Sequence, residues 1–371
     1  MKCHRKFSMR WRACPMWCRP RPCRSDMRTG FIATVSFLVL LVTVAGASER
    51  STLAVPGGLA GLERERGDQS GISEAAGPII AIRQDGKRFE VAVTGKTLAL
   101  LPTDSRIIIA PAPDMLPDGE VTEGQGAIRR AWLTGATERY AHGILGDPIE
   151  ASGVGIERAD GTFLYFDLGD DSVFEDRRAR LFDFDGDGDD EIIVVKSYLD
   201  AGATLAVLEA SDKTLKVAAE AAPIGRSNRW LNPAGAGDFD GDGRAEVAYV
   251  ETPHIGGTLK LYEYGDGKLT LDLQARGFSN HAIGSREQDQ AAVVDWNGDG
   301  VVDLLVPDAR RQVLRIVTFA GGKFEELERI TNPQRIVTAV LPAKFGQSDR
   351  TVVVYGLADG TLVAISPSGT R

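Results

Sequence analysis

The chain alternates short turns with runs of strand-forming residues over most of its length. Turns rich in Asp and Gly precede segments in which apolar and polar residues alternate, such as QDGK before RFEVAV and GDGK before LTLDLQ. Asp-Gly and Gly-Gly pairs supply the positive φ that tight hairpins need. Six such turns lie at 84–87, 159–162, 211–214, 265–268, 321–323 and 359–362. Because no long amphipathic helix pattern interrupts them, the sequence predicts an all-β protein.

Three similar segments repeat within this pattern. They are LFDFDGDGDDEIIVV (181–195), AGDFDGDGRAEVAYV (236–250) and VVDWNGDGVVDLLVP (293–307), and their first aspartates are spaced by 55 and 57 residues. Each unit combines an acidic loop, two apolar strands, a turn and an outer strand, which is typical of a β-propeller blade. We therefore expect residues 76–371 to form a β-propeller of four-stranded blades, with seven blades favoured and six possible. Strands near Pro78–Leu101 would complete the last blade, and two β-sandwiches are the alternative architecture.

The acidic loops at 183–191, 238–246 and 295–303 follow the pattern D-x-[DN]-x-D-G-x-x-[DE]. Calcium takes six to eight hard oxygen ligands, and glycine permits a sharp turn after the fifth position. Crowded carboxylates would repel one another without a cation. Positions 1, 3, 5 and 9 are predicted to bind through side chains and position 7 through its carbonyl, which predicts up to three Ca²⁺ ions. The predicted ligands are Asp183, Asp185, Asp187, Asp189, Glu191, Asp238, Asp240, Asp242, Arg244, Glu246, Asp295, Asn297, Asp299, Val301 and Asp303.

The loops and their spacing resemble FG-GAP/VCBS repeats, the units of the integrin-α-type β-propeller. The resemblance covers about residues 179–310, while 143–151 and 344–354 keep the strand context and lack the carboxylates. It implies calcium loops between the strands of a blade. It implies no single activity, because members act as adhesion modules, carbohydrate-associated proteins and accessory domains of enzymes. Asn297 replaces a carboxylate, so the third loop is expected to bind calcium most weakly.

The N-terminus differs from the rest of the chain. Residues 1–47 contain nine basic residues and one acidic residue, all four cysteines, and the apolar run FIATVSFLVLLVTVAGA (31–47) that ends in an A-x-A sequence. This pattern predicts a secretory signal peptide cleaved after Ala47, with Met27 as the true start. The alternative is an uncleaved membrane anchor, although the run is short for a membrane span. Residues 48–75 are rich in Gly, Ser and Glu and are predicted to form a flexible leader.

The body of the chain is strongly acidic. Residues 48–371 contain 34 basic and 51 acidic residues and no cysteine. This charge disfavours nucleic acid and anionic membranes as partners. The lack of cysteine excludes disulfides and thiolate chemistry there. The cysteine-free body and the absence of N-x-[ST] sequons favour bacterial export, to the periplasm or the medium.

A possible ligand site comes from segments that lead into the predicted blades. RYAH (139–142), SNRW (227–230) and SNH (279–281) place polar and aromatic residues at similar points of the repeat. A ring of such residues would suit a glycan or an anionic peptide, and packing between blades is the alternative role. The members of this predicted ligand ring are Tyr140, His142, Arg229, Trp230, Asn280 and His281.

These features together predict an exported, calcium-binding β-propeller that acts as a monomeric binding, adhesion or scaffold module for a protein or glycan. No G-x-S-x-G or H-E-x-x-H motif indicates a catalyst. The alternative is a calcium-dependent polysaccharide lyase or hydrolase that uses the ring residues. An electron-transfer or quinone-dependent propeller has no supporting motif.

Overall fold

The structure is a computed structural model that describes residues 48–64, 77–106, 109–211, 213–345 and 350–368. Residues 1–47, the predicted signal peptide, lie outside the described residues. Within those ranges the chain is all-β, which confirms the all-β part of the prediction. No helix in the described part is long and apolar enough to cross a membrane.

The 25 strands follow one another in sets, which we call strand groups 1 to 6. Strand β1 (Glu49–Ala54) comes first. Group 1 comprises β2 (Leu59–Arg64), β3 (Ile79–Arg83), β4 (Arg88–Thr94) and β5 (Thr97–Pro102). Group 2 comprises β6 (Thr122–Glu123), β7 (Ile128–Thr137), β8 (Glu150–Arg158) and β9 (Phe163–Asp167). Group 3 comprises β10 (Ser172–Phe174), β11 (Arg180–Phe182), β12 (Glu191–Tyr198), β13 (Gly202–Ala210) and β14 (Leu215–Glu220).

The remaining strands form three further groups. Group 4 comprises β15 (Leu231–Gly237), β16 (Glu246–Glu251), β17 (Thr258–Gly265) and β18 (Lys268–Arg276). Group 5 comprises β19 (Ala292–Val294), β20 (Asp303–Pro307), β21 (Val313–Thr318) and β22 (Glu325–Thr331). Group 6 comprises β23 (Leu341–Lys344), β24 (Thr351–Gly356) and β25 (Thr361–Ser366).

Every strand pair within these groups is antiparallel. Groups 1, 4 and 5 are separate four-stranded sheets in which neighbouring strands are consecutive in the chain. Groups 2 and 3 belong to one nine-stranded sheet, and they are joined by a single residue pair, Phe174 with Ala151. In group 3, β10 and β11 both pair with β12 and act as two halves of one interrupted first strand. Each of the six predicted turns leads into a strand, which begins within the last two residues of the turn or at most two residues after it.

The last sheet takes its fourth strand from the N-terminal part of the chain. Strand β1 pairs with β25 over six residues, from Glu49 with Ser366 to Ala54 with Thr361. The interpretation of 48–75 as a flexible leader is therefore wrong for residues 48–64, which form β1 and β2. The interpretation of Pro78–Leu101 as completing the last blade is also wrong, because these residues form β3, β4 and most of β5 in group 1. The short polar β1 shows little apolar pattern because alternate side chains are exposed.

Apolar side chains on both faces of the middle strands pack against neighbouring groups. In β24, Val353 belongs to a cluster shared with group 5, whereas Val352 and Val354 belong to a cluster shared with group 1. Similar clusters join groups 2 and 3, 3 and 4, and 4 and 5. Burial on both faces explains why the middle strands are continuous apolar runs such as IIVV and LLV rather than alternating ones.

We predict that β1 is required for stability. Deleting residues 48–54 removes a strand whose ladder hydrogen bonds contribute roughly 0.5–1.5 kcal/mol each, so the melting temperature should fall by at least several degrees. Leu53→Asp should destabilise in the same direction, since Leu53 packs against the cluster of groups 1 and 6. Thr52→Asp is the matched control because Thr52 is exposed on the other face of β1. Equal melting temperatures for the full and shortened chains would contradict this role.

Candidate functional site

The three acidic loops occupy equivalent places in three successive strand groups. Each connects the first strand of its group to the second: β11 to β12, β15 to β16, and β19 to β20. In each case the ninth loop residue, Glu191, Glu246 or Asp303, is also the first residue of the second strand. The predicted strand-loop-strand context is thus present at all three positions.

The first aspartate organises each loop by accepting two backbone hydrogen bonds. Asp183 Oδ1 accepts from Gly186 N at 2.7 Å, and its Oδ2 accepts from Gly188 N at 2.9 Å. Asp238 accepts from Gly241 and Gly243 at 2.7 and 2.9 Å. Asp295 accepts from Gly298 and Gly300 at 2.8 and 3.0 Å. The loops therefore share one conformation despite their different sequences.

Two glycines in each loop adopt conformations that other residues rarely do. In the second loop Gly241 has φ of 80° and Gly243 has φ of 91°. A Cβ at Gly243 would meet no atom within 4 Å, so the restriction there comes from the backbone conformation and not from crowding. The first and third loops have the same two positive φ angles. This explains why the Asp-Gly-Asp-Gly or Asn-Gly-Asp-Gly sequence repeats.

The ninth residue closes each loop from the strand side. One carboxylate oxygen of Glu191, Glu246 and Asp303 accepts from the backbone N–H of the second loop residue, at 2.9 Å in all three loops. Glu246 and Asp303 are almost completely buried. The second oxygen of Asp303, Oδ1, is buried and has no hydrogen-bond partner. A buried, unpaired carboxylate oxygen is an unfavourable arrangement that a bound cation would relieve.

Two of the loops bring three carboxylates close enough to hold a metal ion. The two groups, each with ligand atoms within 4.8 Å of one another, are Asp183, Asp185 and Glu191, and Asp238, Asp240 and Glu246. These are positions 1, 3 and 9 of the predicted ligand set. All are hard oxygen donors, so the chemistry fits calcium better than a soft transition metal.

The other predicted ligands are placed as follows. Asp187 and Asp242 at position 5 accept hydrogen bonds from the backbone N–H of Asp189 and Arg244 at position 7. The carboxylate of Asp189 instead accepts from Ala127 N at 2.7 Å, in the turn between β6 and β7. These four residues remain predicted ligands, and Asp189 also ties the first loop to strand group 2.

The third loop differs from the other two at position 3, where Asn297 replaces an aspartate, as predicted. The amide Nδ2 of Asn297 donates to Asp299 Oδ2 at 2.8 Å, while its Oδ1 accepts from the backbone N–H of Asp299. The backbone N–H of Val301 donates to Asp299 Oδ1 at 2.9 Å. The Asn297 amide thus uses a carboxylate oxygen of Asp299 as a hydrogen-bond acceptor. A carboxylate at position 3 would leave that oxygen available to a cation.

Burial and mutual repulsion disfavour the charged form of the ninth residue. Burial, together with repulsion from neighbouring aspartates, raises the pKa of Glu191 to about 7 and that of Glu246 to about 8. Burial likewise raises the pKa of Asp303 to about 6. Each loop therefore favours taking up a positive charge, whether a proton or a metal cation.

Comparison with known families agrees with this geometry. Residues 183–249 and 238–306 match the family model described as an FG-GAP-like repeat. The chain carries FG-GAP-like repeats. The two matched segments begin at the first aspartates of loops one and two, and the second extends through the loop at 295–303. No curated protein matches the chain significantly.

The predicted ligand ring is partly assembled, but most of it is buried. The Trp230 and His281 rings pack edge to face with centroids 4.7 Å apart. Tyr140 and His142 pack in the same way at 5.9 Å. The carboxylate of Glu175 bonds to His142 Nδ1, and its backbone carbonyl accepts from Trp230 Nε1 at 2.9 Å. Glu175 thereby links the two pairs.

The polar groups of the ring are largely bonded within the protein. Asn280 Nδ2 donates to the carbonyls of Asn232 and Pro233 at 3.1 and 3.0 Å. Tyr140 Oη accepts from the backbone N–H of Asn228 at 2.7 Å. Arg229 is half-buried, and its Nη1 donates to the carbonyl of Asn228. These contacts fit the alternative role in packing between strand groups, and ligand binding by the ring stays a prediction.

Both nitrogens of the His281 imidazole are engaged. Its Nε2 donates to the carbonyl of Ser285 at 2.9 Å, so Nδ1 accepts from His254 Nε2, also at 2.9 Å. Burial lowers the pKa of His254 to about 3 and that of His281 to about 4, so both rings are neutral. Sequence reasoning missed Glu175 and His254, which belong to no repeat that would mark them.

We predict that the cation-free protein loses stability as pH rises. The pKa values of Glu191 and Glu246 lie above their usual value near 4.5, so the folded state holds protons that the unfolded chain has lost. The contribution of each group to the free energy of unfolding is fully present below about pH 4.5. It falls as the pH rises towards the folded-state pKa values of about 7 and 8, by at most about 1.4 kcal/mol per pH unit. Above pH 6.5 the lowered pKa values of His254 and His281 add no opposing trend. Melting temperatures between pH 6.5 and 8.5 in calcium-free buffer should therefore fall.

The control for this prediction is the same series in saturating calcium. Glu150 and Glu287 also have raised pKa values, but they lie outside the loops and titrate alike in both series. The difference between the two slopes therefore reports the loops. Glu246→Gln should reduce that difference, whereas Glu90→Gln on the exposed side of β4 should leave it unchanged. Parallel slopes with and without calcium would contradict the prediction.

Proposed function

We propose that this protein is an exported, calcium-stabilised β-propeller that acts as a binding or scaffold module for a protein or glycan. The observation that carries the proposal is the shared geometry of three acidic loops, each placed between the first and second strands of a four-stranded unit. FG-GAP-like repeats over 183–306 support the propeller class.

We propose six blades, and this departs from the seven that the chain length favoured. The described strands divide into six groups of four when β10 and β11 count as one strand and β1 is assigned to group 6. Pairing of β1 with β25 joins the two ends of the described chain in one sheet, and β1 also contacts β5 of group 1. This arrangement removes a free edge at β25 that would otherwise invite pairing with another chain.

Calcium is the cation that the donor set supports best. Carboxylate and backbone oxygens in a curled loop suit its flexible coordination, and sites of modest affinity are filled at extracellular calcium concentrations. Export would thus place the protein where its loops are occupied. The apolar run at 31–47 and the basic residues before it support export, and cleavage after Ala47 would leave Ser48 just ahead of β1.

A binding role is favoured over the polysaccharide-cleaving alternative by the state of the ring residues. A general acid or base needs a ring nitrogen within reach of substrate and a pKa near the working pH. His281 is buried, has both nitrogens bonded, and has a strongly lowered pKa. His142 keeps its carboxylate partner Glu175 and is part-buried. The ring is thus better suited to holding blades together than to proton transfer.

The test of the proposal is a thermal melt of residues 48–371 with calcium and with excess chelator. At a free calcium concentration 100 times the dissociation constant, each site should add about 2.7 kcal/mol. Two or three sites should then raise the melting temperature by roughly 10 °C or more. Magnesium at equal concentration is the ionic-strength control.

A pair of variants assigns the effect to the loops. Asp238→Asn removes the organising carboxylate of the second loop and should remove about a third of the calcium shift. Asp266→Asn removes one carboxylate from an exposed hairpin turn, where the residue has φ of 52° that Asn tolerates, and should retain the full shift. A melting temperature that does not respond to calcium would refute the proposal.

We predict that the third loop has the lowest affinity and can be improved. Asn297→Asp restores the carboxylate at position 3 and removes the amide that donates to Asp299, so calcium affinity at this loop should rise about tenfold. Isothermal titration calorimetry should show the weakest of the binding steps becoming tighter. The reverse change in the first loop, Asp185→Asn, is the matched control and should weaken one of the tighter steps. An unchanged titration for Asn297→Asp would overturn this ranking.

A further inference from the structure

The middle of the described structure contains a cavity of about 960 Å³. Segments of five strand groups line it, including β2, the residues before β6, the link between β10 and β11, and the residues before β19 and β23. Its lining includes residues of group 1 and of the segment before β6 in group 2. Among the described residues, no apolar cluster is shared by these two groups, whereas clusters join each of the other successive pairs.

The cavity wall is rich in guanidinium groups in a protein whose body is strongly acidic. Four carboxylic acids, Glu63, Glu120, Glu287 and Asp289, line it as well. The six arginines that line it are Arg64, Arg88, Arg106, Arg177, Arg178 and Arg286. Asp118 and Asp147 pair with Arg177 and Arg286 from outside the lining, so the unbalanced positive charge lies chiefly at Arg106.

Several of these arginines are held in place by acidic neighbours. Arg88 pairs with Glu63 at 2.6 Å, and Arg177 pairs with Glu120 at 2.8 Å. Arg178 is almost fully buried and pairs with Asp289 and Glu120, yet its Nε is buried without a hydrogen-bond partner. Because this Nε exposes almost no surface to the cavity, Arg178 acts on an anion through its charge rather than as a hydrogen-bond donor.

Two further groups add to the positive character. Arg106 is exposed at the cavity and makes no ion pair within the described part of the chain. Burial raises the pKa of Glu287 to about 8, so this acid is mostly neutral near pH 7. The cavity therefore favours an anion more than the count of arginines and acids alone indicates.

The rest of the lining limits the kind of anion. Ile82, Ile109, Met115 and Val337 contribute apolar surface, and no Tyr, Trp, Phe or His is among the described residues of the lining. Without an aromatic side chain there is no surface on which a sugar ring or a nucleobase would stack. The combination of guanidinium groups with aliphatic walls suits a compact aliphatic carboxylate.

We propose that this cavity binds a small aliphatic organic anion that carries one or more carboxylate groups. The inference rests on the proposed binding function and names a ligand class for a site distinct from the ring and the acidic loops. Arg106 would contribute the free guanidinium, and the aliphatic residues the contact with the carbon chain.

The test is calorimetric titration of residues 48–371 in calcium with glutarate, its neutral diamide, and sulfate. Glutarate should bind, and the diamide should bind at least tenfold more weakly because it lacks the charge. Arg106→Gln should weaken glutarate binding by about tenfold, the loss expected for one charge-assisted hydrogen bond. Arg226→Gln is the matched control, since Arg226 is exposed and does not line the cavity.

A second variant narrows the cavity without removing a charge. Gly61 lies in β2 on the cavity wall, and a Cβ there would meet no atom within 4 Å. Gly61→Leu should therefore fold, and its side chain should weaken glutarate binding by occupying part of the cavity. Gly169→Leu, in an exposed segment whose Cβ would only touch Asp171 at 3.7 Å, should bind as the unaltered chain does.

Three results would overturn the inference: no difference between glutarate and its diamide, sulfate binding as tightly as glutarate, or a glutarate affinity that Gly61→Leu leaves unchanged. Failure here is distinguishable from failure of the proposed function. Calcium would still raise the melting temperature if only the cavity assignment were wrong, and it would not if the loops were empty.

Discussion

Burial of the middle strands on both faces is the constraint on which the rest of this structure depends. A four-stranded sheet with two apolar faces is not stable alone in water, so each strand group needs a neighbour on either side. Adjacent residues of one strand serve different neighbours, as Val194 packs with group 2 and Val195 with group 4. Strand β1 beside β25 brings the N-terminal part of the described chain into the last sheet.

The acidic loops follow from the same constraint. In these three groups the ninth residue of the loop is the first residue of the second strand. Because that strand is buried, the side chain of this residue is largely removed from solvent. Glu246 is thus held beside Asp238 and Asp240 in a site where its charge is poorly solvated. A cation bound there would stabilise the start of β16 and, through it, the clusters on both faces. Metal binding is in this way coupled to folding, and not only to the shape of a surface loop.

Much of this arrangement was predictable from the sequence, since it depends on local rules. The Asp-Gly turns fixed the hairpins, and the D-x-[DN]-x-D-G pattern located the loops with their glycines at positive φ. What the sequence could not reveal depends on contacts between distant segments. Strand β1 has only one half-buried leucine and pairs with residues over 300 positions away, so its composition predicted a flexible leader and not a strand. Glu175, which connects His142 to Trp230, has no periodic partner in the sequence that would single it out.

Charge is distributed unevenly in a way that gives the two kinds of site different ligands. The carboxylates of the loops lie at strand ends, exposed to solvent on one side, where cations can exchange. The arginines line the cavity, where they pair with carboxylates from several segments, as Arg88 does with Glu63 and Arg178 with Glu120 and Asp289. Burying such ion pairs costs more desolvation than burying apolar side chains and contributes less net stability. Retaining this polar lining is costly for stability alone. It is reasonable for a site that uses its guanidinium groups to bind an anion.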